Sequence, residues 1–174
     1  MVAPRAASSL FLPITLIFAA LHLSSANTDA TDVQALEVLY KALNSPSWLT
    51  GWKIGGGDPC GEAWKGVTCE GSAVVSIELS GLGLHGTLGY LLSDLISLRQ
   101  LDLSDNKIHG MVPYQLPSNL TSLNFARNNL SGNLPYSISA MTSLNYLDLS
   151  FNDFSGDLPP SFGSLSNLSS VTIS

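Results

Sequence analysis

The chain has 174 residues, 45% of them hydrophobic and 11% charged, with a formal net charge of -6; that length suits one ordinary domain and not two sizeable ones. Its seven Lys and Arg stand singly along the chain, which argues against a phosphate-neutralising surface for DNA or RNA. Two cysteines are too few for a dense disulfide scaffold or a four-thiolate zinc site.

The chain opens on an address. Arg5 precedes an apolar run from Leu10 to Leu23, shorter than the ~20 residues a membrane-spanning helix needs. Ser24, Ser25 and Ala26 then supply small residues for a signal peptidase, so residues 1–26 read as a signal peptide cleaved after Ala26, with an uncleaved anchor as the alternative. Export would carry Cys60 and Cys69 into an oxidising compartment, where pairing is expected; the Cys-x-x-Cys spacing of a redox pair is absent.

Residues 27–73 read as a cap. Val33, Leu36, Tyr40 and Leu43 form one helical stripe, Thr31 and Gln34 fit a capping box, and Asn44-Ser45-Pro46 stops the helix. Trp48, Trp52 and Trp64 flank the loop Gly55 to Cys60. Aromatic bulk and one disulfide there would cover the open end of whatever follows; a sugar-binding platform is the weaker reading.

From residue 74 to 174 the chain repeats itself. Val74, Leu98, Leu120, Leu144 and Leu168 each open an L-x-x-L-x-L-type run. Asn106, Asn128 and Asn152 stand eight positions into units two to four, and Gly86, Gly110, Gly132 and Gly156 form a later column, with Pro113, Pro135 and Pro159 behind it. The alternating apolar core predicts a short strand per unit, stacked on the next copy in a parallel ladder ~4.8 Å apart. The Asn amides are expected to turn inward and bind backbone groups that no strand ladder reaches. One unit cannot bury its apolar face alone, so the stack is the cooperative element. These columns resemble those of leucine-rich repeats. The stretch Leu130 to Pro135, with its counterpart Phe154 to Pro159, resembles the plant-type consensus. The expected fold is an α/β solenoid with a short parallel ladder on its concave side, a helical, disulfide-bonded N-terminal cap, four repeats and a partial fifth.

Several motifs dissolve into this pattern. Gly81, Gly83 and Gly86 satisfy G-x-G-x-x-G after a strand, yet the next strand starts twelve residues on, which is tight for a crossover helix, and Gly86 belongs to the glycine column. A dinucleotide-dependent enzyme is therefore only a third reading. His85 and His109 share one repeat position, with serines following in the column, so no metal site is expected. Glu78, Asp102 and Asp148 form a column with Asn124 on the solvated strand face; neither catalysis nor a cofactor is implied. Asn119, Asn129 and Asn167 head N-x-S/T sequons and are glycan candidates in an exported chain.

A binding role then falls to the outward strand positions. The candidates are Ser76 and Glu78; Gln100, Asp102 and Asp105; Ser122, Asn124 and Arg127; and Tyr146, Asp148 and Phe151. Tyr146 and Phe151 are the expected aromatic anchors. A strip of five strands would be on the order of 20 Å long, enough for a short peptide or a protein edge.

The run from Trp52 to Cys69 (G-G-G-D-P-C-G-E-x-W-K-G-V-T-C within it), Gly86 to Leu95 and Ala126 to Ser139 resemble the ectodomain of the Strubbelig-receptor family of plant receptor-like kinases. That resemblance implies an extracellular repeat region facing a peptide, protein or co-receptor ectodomain, on a receptor with one membrane helix, an often atypical kinase domain and a role in tissue morphogenesis. The chain ends at Ser174 inside a fifth strand. The expectation is therefore a truncated or alternatively spliced receptor ectodomain without kinase activity, with a free-standing secreted binder or inhibitor as the alternative.

Overall fold

The computed structural model describes residues 27–173, so the expected signal peptide lies outside the described residues. The first element is α1 (Ala30–Ala42), a segment without Gly or Pro. It buries Asp32, Ala35, Leu36, Leu39 and Tyr40, with Leu43 buried just beyond its end. The stripe differs from expectation: Val33 is only half-buried, and Ala35 and Leu39 complete the apolar face. The capping box does not form either. Asp29 is the N-cap with no side-chain cap bond, and Thr31 sits exposed inside the first turn. The helix start is fixed by tertiary contact instead, because the Asp32 carboxylate turns inward and accepts the Val74 N–H at 2.8 Å. Asn44 and Ser45 then take left-handed φ values of 61° and 47°, ending the helix ahead of Pro46.

Ten strands follow among the described residues: β1 (Val67–Glu70), β2 (Ala73–Glu78), β3 (His85–Gly86), β4 (Gln100–Asp102), β5 (Lys107–Met111), β6 (Ser122–Asn124), β7 (Asn129–Gly132), β8 (Tyr146–Asp148), β9 (Asp153–Phe154) and β10 (Ser170–Thr172). They build two sheets, one ordered β1-β2-β4-β6-β8-β10 and one ordered β3-β5-β7-β9. In the first, Ile77, Leu101, Leu123, Leu147 and Val171 are ladder partners in succession. Repeat periodicity thus becomes parallel register, and each leucine stacks on its own copy. All but Val171 at the outer edge are buried.

Two features exceed the sequence reading. The main sheet has a sixth strand, because β1 pairs antiparallel with β2 through a two-residue turn at Gly71-Ser72; it covers the ladder edge that the first repeat would otherwise expose. The second sheet was not anticipated at all. Its first three strands hold Gly86, Gly110 and Gly132 of the glycine column, and at Gly86 (φ 110°) an added Cβ would collide with the Ala42 carbonyl oxygen, which accepts the Thr87 N–H at 2.9 Å. Glycine is needed there so that the first coil can close on the end of α1.

The asparagine ladder forms as the repeat predicts. Asn106 accepts the N–H groups of Leu82 (3.1 Å) and Leu84 (2.9 Å) and donates to the carbonyls of Leu79, Leu103 and Ser104. Asn128 accepts from Ile108 and donates to Leu103, Phe125 and Ala126. Asn152 accepts from Leu130 and donates to Phe125, Leu149 and Ser150. Each amide bridges its own coil to the preceding one, where unpaired backbone groups would be costly.

In the cap, Cys60 and Cys69 form a disulfide. Trp52 and Trp64 are buried with ring centroids 5.4 Å apart, and Tyr40 lies 6.0 Å from Trp52. Trp48 is half-exposed and donates its indole N–H to the Leu82 carbonyl at 3.2 Å. Two of the three tryptophans are therefore packing elements, and the third props the first coil.

Asp58 ties the start of the described chain to the loop before Cys60. The Thr28 hydroxyl donates to it at 2.6 Å and the Thr28 N–H at 3.0 Å. With the Thr28 hydroxyl foremost, and the N–H groups of Gly61, Thr28 and Cys60 adding to it, these bonds hold its carboxyl below the usual range. A depressed folded-state pKa makes the stabilisation present above about pH 4 and lost as pH falls through the folded value. Asp32 has the opposite sign: burial raises it, against the lowering by Val74 N–H, so its contribution is present below about pH 4 and is lost as pH rises. Asp58→Asn is accordingly expected to lower the melting temperature at about pH 6 and to converge with wild type as pH falls below the folded value. Thermal scans across that range check it; a gap constant with pH would refute the assignment.

Candidate functional site: the concave strip

Ladder register places the outward candidates in three parallel columns. Ser76, Gln100, Ser122 and Tyr146 are successive partners, as are Glu78, Asp102, Asn124 and Asp148. Asp105, Arg127 and Phe151 lie three residues past the second column, at the bend where each strand turns toward its asparagine. All three bend residues have left-handed φ of 53–55°, and Gly81 (φ 67°) holds the same place in the first coil. The bend forces that conformation on each coil, and three of the four coils accept it without glycine, at a modest strain. Sequence reasoning missed this feature, although Gly81 at the equivalent position was its signal.

The first column is less open than expected. Ser76 is 6% exposed, because its hydroxyl is bracketed by the Glu78 carboxylate (3.1 Å) and the Gln100 amide oxygen (3.4 Å). It lines the strip as a positioning group and not as exposed contact surface. Gln100 is exposed, and Ser122 and Tyr146 are half-buried. The Tyr146 hydroxyl donates to Asp148 at 3.4 Å. Desolvation raises its pKa, with the charges of Asp148 and Asp102 adding to the effect.

In the second column Glu78 is exposed while Asp102, Asn124 and Asp148 are half-buried. Asp102 accepts the N–H and hydroxyl of Ser104, and Asp148 accepts the same pair from Ser150. Asn124 accepts the Ala126 N–H and donates to Asp102 at 3.3 Å. One face of each carboxylate is thus spent on shaping its own bend. That is why Asp and Asn recur here, and it is a structural duty that no acid/base role requires.

The third column carries an ordered cation. The Arg127 guanidinium lies 4.5 Å from the Phe151 ring centroid, with its Nε 3.6 Å from Asp105. Stacking on an exposed ring fixes the guanidinium while leaving it open to solvent. At the cap end, Arg99 pairs with Glu70 of β1. Those two residues, with Ser76, Glu78, Gln100 and Thr121, line a shallow cleft of about 370 Å³. Glu70 was not among the sequence candidates, because the strand that presents it was not foreseen.

The remaining candidates sit elsewhere. Asn119 and Asn167 are exposed at one repeat position on the flank ahead of the strands, donating to the carbonyls of Ile96 (2.7 Å) and Thr142 (2.6 Å). Asn129 is exposed at the start of β7, in the second sheet. His85 and His109 are not ladder neighbours: His85 is opposite Lys107, and His109 opposite Asn129. Among the described residues no helix is long and apolar enough to cross a membrane.

Coils of this construction, closed at one end by a helical, disulfide-bonded cap, define the class of leucine-rich-repeat ectodomains found on plant receptor kinases. Residues 29–70 match the leucine-rich-repeat N-terminal domain family and residues 96–154 the leucine-rich-repeat family. The chain belongs to these leucine-rich-repeat proteins and is homologous to the N-terminal ectodomain region of the Strubbelig-receptor family. It is 47% identical over 136 residues to Protein Strubbelig-Receptor Family 5 of Arabidopsis thaliana, spanning 78% of this chain and 18% of that protein. With Strubbelig of the same plant it shares 36% identity over 134 residues, 77% of this chain and 17% of that one. The chain therefore spans under a fifth of the length of these relatives. Among solved structures, the BIR2 ectodomain of Arabidopsis thaliana superposes with a TM-score of 0.72 at 30% identity, covering 83% of this chain and 79% of that one. The ectodomain of GASSHO1/SCHENGEN3 from Arabidopsis thaliana, solved with Casparian Strip Integrity Factor 2, superposes at 0.71 with 27% identity, covering 83% of this chain and 18% of that one.

Proposed function

We propose that this chain is the extracellular recognition region of a Strubbelig-type receptor, and that its concave strip binds a peptide or the edge of a partner ectodomain in morphogenesis signalling. The single observation that carries the reading is the Asp105–Arg127–Phe151 column: a guanidinium held ready on an exposed aromatic face, at the open side of a rigid ladder. Preordered Arg and aromatic groups are the residues that concentrate binding energy, because little entropy is lost when a partner arrives. Residues 1–26 would direct export, and glycans on Asn119, Asn129 and Asn167 would add mass that enzymatic deglycosylation removes. Glycans on Asn119 and Asn167 would leave the Phe151 flank as the open approach.

The reading is tested by random-peptide display against the chain secreted from a eukaryotic host. Selected peptides are expected to lose at least tenfold in affinity to Phe151→Ala and to Gln100→Arg, with thermal midpoints close to wild type. Binders indifferent to both substitutions would place recognition off this face and defeat the proposal.

A further inference from the structure

We propose that the return side of the coils carries a second interaction surface, a tyrosine-walled groove that takes a proline-rich peptide in the polyproline II conformation. Tyr90, Tyr114 and Tyr136 occupy one repeat position on three consecutive coils, each 16 residues past its unit's opening Val74, Leu98 or Leu120. They are 74%, 73% and 60% exposed, so core packing does not explain them, and no hydrogen bond engages their phenol hydroxyls among the described residues. Tyr114 and Tyr136 wall a groove of about 320 Å³ floored by Met111, Val112, Leu134 and Pro135. A second hollow, of about 430 Å³, lies beside Tyr90 against Val38, Lys41 and Ala42 of α1.

The occupant follows from what the groove offers and what it lacks. The Tyr114–Tyr136 groove has no charged group in its lining, although the chain as a whole carries -6; a neutral ligand matches it, and a basic or acidic one gains nothing there. Strands β5 and β7 are already paired beside it, so a ligand cannot join as an added strand. Proline-rich segments need no such partner. They have no backbone N–H to satisfy at each proline, and their exposed carbonyls can accept from the unengaged phenol hydroxyls. Aromatic-lined grooves are the recurrent receptors for this conformation. The period agrees as well. Hydrogen-bonded coils lie ~4.8 Å apart, so Tyr90 and Tyr136, two coils apart, are separated by roughly 10 Å. A polyproline II helix advances about 9 Å per three-residue turn, so residues three apart can meet Tyr90 and Tyr136, with the residues between them lying over Tyr114.

The test titrates the full secreted chain with a synthetic deca-proline peptide, and with a Gly/Ser decapeptide, by isothermal calorimetry. Saturable binding of deca-proline alone is expected, weakened at least tenfold in Tyr114→Ala/Tyr136→Ala while the thermal midpoint stays unchanged. Absence of saturable deca-proline binding by wild type overturns the proposal, as does equal affinity of the double variant. A wild-type sedimentation coefficient that falls with the double substitution would also overturn it, assigning the stripe to self-association. The Phe151→Ala variant should bind deca-proline as wild type does, which separates this surface from the concave strip.

Discussion

Asn106→Ala is expected to cost about 4 kcal/mol of unfolding free energy, the largest effect of a single polar truncation in this chain. Five hydrogen bonds end on that amide, but they are not equivalent. The Ser104 carbonyl keeps the Gly81 N–H and the Leu103 carbonyl keeps the Asn128 amide. The N–H groups of Leu82 and Leu84 and the carbonyl of Leu79 lose their partner outright. Three orphaned groups at ~1–3 kcal/mol each, with some water relief at half-buried Leu82, give that total. Asn152→Ala should cost roughly half as much, because it orphans Leu130 N–H and Leu149 C=O at a less enclosed site. Asn106→Asp is a sharper probe. It keeps the acceptor for Leu82 and Leu84 but turns a second carboxylate oxygen toward three carbonyls, so it should be no better than alanine at neutral pH. Denaturant titration checks the series, and an Asn106→Ala cost under about 1 kcal/mol would show that the ladder is not what holds adjacent coils together.

That ladder was legible in the sequence because its cause is local and periodic. An Asn at a fixed distance from an L-x-L core has one inward-facing use, and repetition in three units makes the use plain. The leucine column was legible for the same reason, and register in the structure follows it residue for residue. What was not legible depends on contacts between unlike segments. β1 has the unremarkable sequence Val67-Thr68-Cys69-Glu70 and is a strand because β2 lies beside it. Asp32 sits in a helix whose surface pattern would have it solvated, yet the Val74 N–H draws it inward. The second sheet consists of strands of two to five residues, too short for alternation to show. In the candidate site the columns were readable, but Ser76 was assigned an exposure that its bonds to Glu78 and Gln100 remove. The stacking of Arg127 on Phe151 needed the bend geometry of two successive coils at once.

The cap yields the second large effect. Trp64→Ala should destabilise the chain by about 3–5 kcal/mol, the range for deleting a fully buried indole. Trp64 is 1% exposed, faces Trp52 at 5.4 Å and donates its indole N–H to Glu62 at 3.0 Å. An ideal Cβ added at Gly51 would stand 2.9 Å from its Cδ1, so the backbone there closes directly on the ring. The Trp64 carbonyl accepts the Val67 N–H at 2.9 Å, which places the indole at the entry to β1. Losing it therefore opens a cavity and also loosens the strand that pairs alongside Val74 and Ile77 of the first coil. Because a solenoid couples mainly nearest neighbours, the damage should be graded along the stack. Amides of α1, β1 and β2 should lose hydrogen-exchange protection first, while β6 and β8 keep most of theirs. Trp64→Phe, which refills much of the space without the N–H, should recover more than half of the loss. Uniform loss of protection from β1 to β8 in the alanine variant would mean that cap and repeats melt as one unit, and that the indole seals no particular end.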